Sequence, residues 1–220
     1  MSFSGELRAA SSPAWHAAVG HRFVEELWAG TVDDSVMARY LGQDALFLDA
    51  FVALLGAAVA SADRQEPRMV LARQLGLVAG DENDYFARAL DRLGVVSAPE
   101  PLPVTRGFLD LMDSARRDVD YPAILAVLLV AEWLYADWAV RDAPVPSDRL
   151  HAEWIELHRG PAFAVWVEFL REEADRVATT AGAGGRARMS AAFTRAVDLE
   201  LAFFDAAYRA DPRHAHLPRP

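Results

Sequence analysis

Cysteine is absent from all 220 residues, which excludes disulfides, Cys-ligated zinc or iron–sulfur centres and a thiolate nucleophile. Positive charge is scarce. Lys and Arg number 22 against 32 Asp and Glu, a net charge of -10, and that field repels phosphate backbones and anionic lipid headgroups. Nucleic acid and membranes are therefore not expected partners. Long apolar runs are also missing: the longest, at residues 51–62 and 121–131, fall short of the ~20 residues of a membrane span. The opening MSFSGELRAASSP lacks the basic-then-apolar order of a secretory leader, so a cytoplasmic location is expected. No segment alternates apolar and polar residues long enough to require a sheet. A phosphate loop is lacking too, since AGAGGRARMS has no GxxxxGK[ST] and reads as a flexible connector.

Metal-binding spacings are equally poor. The 6 histidines form neither HExxH nor Glu-x-x-His, the signature of di-iron bundles. Glu82 is followed a turn later by Tyr85 and Phe86 rather than by ligands. A haem would need an axial ligand on an early helix, where His16 and His21 are the candidates, though packing or surface roles suit both better. No metal and no cofactor are expected.

What is present is helix. Apolar residues make up 53% of the chain, and they recur at helical spacing, as in Val19, Phe23 and Leu27. Ser12 before Pro13, Asp33 with Asp34, Thr105 and Ser147 are placed to open helices. Gly30, Gly80, residues 97–103, 120–122 and 144–146, Gly160 with Pro161, and residues 181–185 interrupt the periodicity. The pattern predicts an all-α, single-domain helical bundle of about eight or nine helices over residues 1–210, with an extended tail at 211–220.

Three carboxylates fall where the core stripe should be apolar. Asp44 shares a helical face with Tyr40, Phe47 and Phe51; Glu132 follows Leu125 and Leu128 and precedes Tyr135; Glu200 sits among Phe193, Val197, Phe203 or Phe204, and Ala207. An unpaired carboxylate in low dielectric costs several kcal/mol or gains a proton. Each acid alone could meet an Arg, Trp or Tyr and merely fix helix register. All three together point to a concave site between helices that takes a cationic or amidine-like ligand and exchanges protons with it. Trp133, Trp138, Trp154 and Trp166 are core residues by default, although one could stack on a flat ligand.

The segment HRFVEELWAGTVDDSVMARYLGQDALFLDAF resembles the opening of the TenA/thiaminase II family. TRGFLDLM, AEWLYADWA and LELAFFDAAY are similar to three later motifs of that family, in the same order. The resemblance implies a haem oxygenase-like all-α fold without haem, a homo-oligomer (dimer or tetramer), and action on the pyrimidine half of thiamin or its breakdown products. Asp44 falls where family members hold the aminopyrimidine's ring nitrogen and amino group, and Glu200 where they keep the acid that protonates the leaving group. The family's catalytic cysteine would fall at Ala131. Phe47, Phe108 and His158 stand where tyrosines are common, and Tyr135 keeps its hydroxyl.

EWIELHRGPAF resembles the cysteine-free branch of the family, which has a glutamate near the lost cysteine; Glu132 then takes that place. The implied reaction is hydrolysis of aminomethyl- or formylaminomethyl-pyrimidine to hydroxymethylpyrimidine, a step of thiamin salvage. In it Asp44 binds the amidine edge, Phe47 or Phe108 flanks the ring, Tyr135 and His158 complete the binding surface, Glu132 positions or activates water, and Glu200 protonates departing ammonia. The alternatives are a non-catalytic pyrimidine-binding or regulatory protein, and a metal-dependent oxidase on the same fold.

Overall fold

A computed structural model describes residues 2–209; the tail expected at 211–220 lies outside the described residues. Among those described, all regular structure is helical: α1 (Phe3–Ala10), α2 (Ser12–Val19), α3 (Arg22–Ala29), α4 (Asp34–Ser61), α5 (Gln65–Leu77), a π turn (Val78–Glu82), α6 (Asn83–Arg92), α7 (Pro103–Arg117), α8 (Tyr121–Ala139), α9 (Arg149–Leu157), α10 (Pro161–Thr180) and α11 (Gly182–Arg209). α1 and α2 meet at Ser11, and α5, the π turn and α6 are continuous. Counting each of these two stretches as one rod gives nine, in line with the periodicity.

α8 is the centre because its sequence is apolar on every side. Asp120 opens it by accepting from the Ala123 amide at 3.3 Å, and Ile124 to Val130 are all buried. α11, α10, α4, α7 and α2 pack around it. α4 and α8 are long and apolar enough, by length and composition, to cross a bilayer, which their uninterrupted apolar runs alone did not suggest. In α8 that apolarity is satisfied by neighbouring helices: its most apolar window is 72% buried, against 33% for α4.

Local devices fix the angles between rods. Gly30 ends α3 in the left-handed region at φ 68, where a Cβ would also come within 2.9 Å of Pro146. At Gly107 a Cβ would lie 2.9 Å from Leu199, so glycine lets α7 press against α11. Gln43 ties α4 to the start of α7: its Oε1 accepts from the Leu102 amide at 2.8 Å and the Thr105 hydroxyl at 2.6 Å, and its Nε2 donates to the Glu100 carbonyl at 3.1 Å.

Several local expectations change. Thr105 lies inside α7 and serves this cross-link rather than a cap, and Asp148, not Ser147, caps α9 through the Leu150 and His151 amides. Gly80 falls within the π turn rather than at a break. The segment read as a flexible connector forms the first turns of α11. Burial of Gly185, Met189 and Phe193 outweighs the weak helix propensity of its glycines.

Candidate active site

α4, α5 with the π turn, α6, α8, α9 and α10 enclose a cavity of about 330 Å³, within the usual range for small-molecule sites. Asp44, Phe47, Glu132, Tyr135 and His158, all singled out from the sequence, line it. Two others stand behind the wall. Phe108 is buried against Phe47, with ring centroids 5.1 Å apart and planes at 82°, and so supports the ring that faces the cavity. Glu200 is buried beside the tyrosine pair rather than on the cavity surface.

Asp44 reaches this wall because it lies one helical turn after Tyr40 on α4. The Tyr40 and Tyr135 hydroxyls are hydrogen-bonded at 2.7 Å, and the Tyr40 hydroxyl also reaches Asp44. Burial first, and then the charge of Glu82, push the Asp44 carboxyl well above its ordinary range, against a smaller opposing effect of the Tyr40 hydroxyl. Burial and then Asp44 do the same to Glu200. Both tyrosines are pushed up, chiefly by burial, and stay protonated. The hydrogen-bonded Tyr40–Tyr135 pair thus feels both acids, Asp44 and Glu200.

Across the cavity, Glu132 is raised to about 8, by burial first and then by Glu82. The Trp166 indole N–H is near enough to oppose that rise, yet it makes no hydrogen bond. A polar ligand atom between Glu132 and Trp166 would satisfy it. His158 holds the Trp154 carbonyl at 2.8 Å from its Nδ1; that nitrogen must carry the proton, which leaves Nε2 an acceptor. Burial depresses this histidine to about 4, so it is neutral at cellular pH. Arg159 is the one cationic side chain among the cavity's lining residues, and it is 3.6 Å from Glu156.

A fourth buried acid, Glu173, shows what a structural carboxylate looks like here. It accepts from Tyr121 at 2.9 Å, from Arg176 at 2.6 and 2.7 Å, and from Arg64 at 3.1 Å. Among the described residues, Asp44, Glu132 and Glu200 have no such cations. Glu82, dismissed from sequence as a metal ligand, also lines the cavity. Its four-residue spacing with Val78 and Phe86 was the available signal, but a break at Gly80 hid it. Among the described residues no group of three or more His, Asp or Glu is gathered closely enough to hold a metal ion.

Comparison with known proteins agrees with this architecture. The TENA/THI-4/PQQC family model matches residues 8–210, and the chain belongs to that family. An aminopyrimidine aminohydrolase from Halalkalibacterium halodurans is 24% identical over 215 residues, covering 94% of this chain and 96% of that protein. The Bacillus subtilis protein of the same name is 27% identical over 219 residues, covering 95% and 91%. Among solved structures, a TenA homologue from Pyrococcus furiosus superposes with a TM-score of 0.83 at 18% identity, over 94% of this chain and all of that one. One from P. horikoshii gives 0.80 at 23%, over 96% and 100%. The fold is the haem oxygenase-like all-α arrangement expected from the motifs.

Proposed function

We propose that the protein is an aminopyrimidine aminohydrolase of thiamin salvage, converting aminomethyl-pyrimidine, or its formylated form, to hydroxymethylpyrimidine. The observation that carries this reading is one cavity with a proton-bearing Asp44 on one wall and an unpaired Glu132 on the other. The two relatives named above, matched over almost their whole length, support the same reading.

A protonated Asp44 can donate to a ring nitrogen while its second oxygen accepts from the exocyclic amine, a two-point match to the amidine edge. Phe47 stacks on the ring, with Phe108 holding it in place. Tyr135 and His158 border the substituent, His158 as an acceptor through Nε2. Glu132 in its ionised form takes a proton from water as the C–O bond forms and the C–N bond breaks, and ammonia then recovers that proton as ammonium. Glu200 keeps the departing nitrogen protonated through Tyr135, so that ammonia rather than amide anion leaves. Its raised pKa suits it to hold a proton at cellular pH.

The enzyme is read as a cytoplasmic homo-oligomer, a dimer or tetramer, which light scattering after gel filtration would check. The main test incubates purified protein with 4-amino-5-aminomethyl-2-methylpyrimidine and measures ammonia. Ammonia released in step with hydroxymethylpyrimidine supports the assignment. Tight binding without product would instead make the protein a pyrimidine-binding or regulatory module.

A further inference from the structure

Glu82 is not used by the reaction described above, although it faces the same cavity. Gln74, Val78, Glu82 and Phe86 recur every fourth residue along α5, the π turn and α6, and all four line the cavity. In an uninterrupted α-helix each such step drifts by about 40°, so Phe86 would point roughly 120° away from Gln74. The wider π turn over Val78–Glu82 takes back part of that drift and keeps Glu82 turned inward. π turns of this kind are frequent at functional sites.

The charges around Glu82 are those of a binding group rather than a structural one. Facing it across the cavity are Asp44 of α4, Glu132 and Tyr135 of α8, Glu156 of α9, and His158 and Arg159 beyond α9. Arg159 is paired with Glu156 and His158 is neutral. Among the described residues no cation wraps Glu82 as Arg64 and Arg176 wrap Glu173. The carboxylates surround a space instead of converging on a point, which suits an organic cation better than a metal ion. The charge of Glu82 acts on both Asp44, which would hold the ring, and Glu132, so Glu82 lies near both carboxylates, where a substituent on a ring held by Asp44 comes within its reach.

We propose that Glu82 is a specificity-determining residue that holds the ammonium of a cationic substituent and so selects amine-bearing pyrimidines over neutral ones. The inference rests on the aminopyrimidine reading. A bound ammonium offsets the repulsion between Glu82 and Glu132 and favours the ionised form of Glu132 that water activation needs. Burial lifts Glu82 to about 7, so its hold on a cation weakens as the pH falls below neutrality, where the amine itself stays charged.

The test compares two ligands of nearly the same shape: the aminomethylpyrimidine cation, through its KM, and the neutral hydroxymethyl product, through its inhibition constant. In Glu82→Gln the KM for the amine rises by about 10- to 100-fold, the loss of one charge-assisted hydrogen bond, and the product's constant changes less than about 3-fold on the same scale. The wild-type KM rises on acidification from pH 8 to 6 and the product constant does not; the variant loses the part of that rise that Glu82 supplies and keeps the part due to Glu132, whose carboxyl is pushed up to about 8. Glu82→Asp, which keeps the charge on a shorter stem, restores part of the preference. Equal losses for both ligands, or none, would overturn the proposal. If the wild type turns nothing over, calorimetric dissociation constants for the two ligands still read charge selection separately from catalysis. Failure to bind either ligand would sink both readings.

Discussion

Replacing Glu132 by Gln should stabilise the protein and disable it together, with the stability gain confined to one pH range. Burial pushes the native carboxyl up to about 8 from its ordinary 4.5, so between those values the native state holds a proton that the unfolded chain releases. Stability from this group is complete below about pH 4.5 and is lost as the pH rises through about 8. At 1.36 kcal/mol per pH unit, the ceiling of the loss is about 4–5 kcal/mol. Titration as a pair with Glu82 and some access to solvent reduce the expected effect to about 2–4 kcal/mol. Glutamine has the same shape and no charge to desolvate. Urea denaturation at pH 8 should therefore show Glu132→Gln more stable by that amount, roughly 5–15 °C in melting temperature for a chain of this size, and nearly equal to wild type at pH 5. Ammonia release should fall by about 10²- to 10⁴-fold, the usual value of a positioned base. A variant destabilised equally at both pH values would show that Glu132 is a packed structural acid, and full activity would remove it from the chemistry.

Asp44→Asn keeps a two-point match to the amidine edge but cannot lend its proton, so kcat should fall by at least about 10²-fold with KM moving far less, whereas Asp44→Ala should raise KM as well. Glu200→Gln should lower kcat by about 10²- to 10⁴-fold and leave product affinity intact; unchanged turnover would remove it from the mechanism. Glu173→Ala leaves Arg64 and Arg176 facing a gap, and since both are partly solvated the loss should be about 2–4 kcal/mol in urea denaturation, with the folded protein retaining its activity. Val119, an exposed β-branched residue at φ 51 between α7 and α8, should yield about 1 kcal/mol, or 2–4 °C, when replaced by Gly; no change in melting temperature would show that the turn carries no strain.

The contrast between Glu173 and the cavity acids shows why the site was only partly legible. Counting along α4, α8 and α11 identifies Asp44, Glu132 and Glu200 as inward-facing, because helical periodicity is a local property of the chain. The same counting along α10 puts Glu173 on the stripe of Trp166, Leu170 and Val177, but it does not reveal that Glu173 meets two arginines there, since Arg64 arrives from the turn before α5. Glu82 was hidden for a related reason. Gly80 looks like a stop in one dimension, yet the packed continuation of α5 into α6 carries the helix through it as a π turn.

The sequence alone determined the helical class and the inward acids of three helices, since both follow from spacing and composition within short segments, and its ordered motifs carried the resemblance to the family. Tertiary structure decided that Asp44 and Glu132 face one cavity while Glu200 and Phe108 stand behind its wall, and that Glu82 joins them. Which carboxylate remains without a cation depends on how separate helices approach one another, and a side chain's protonation follows from that neighbourhood rather than from its place in the chain.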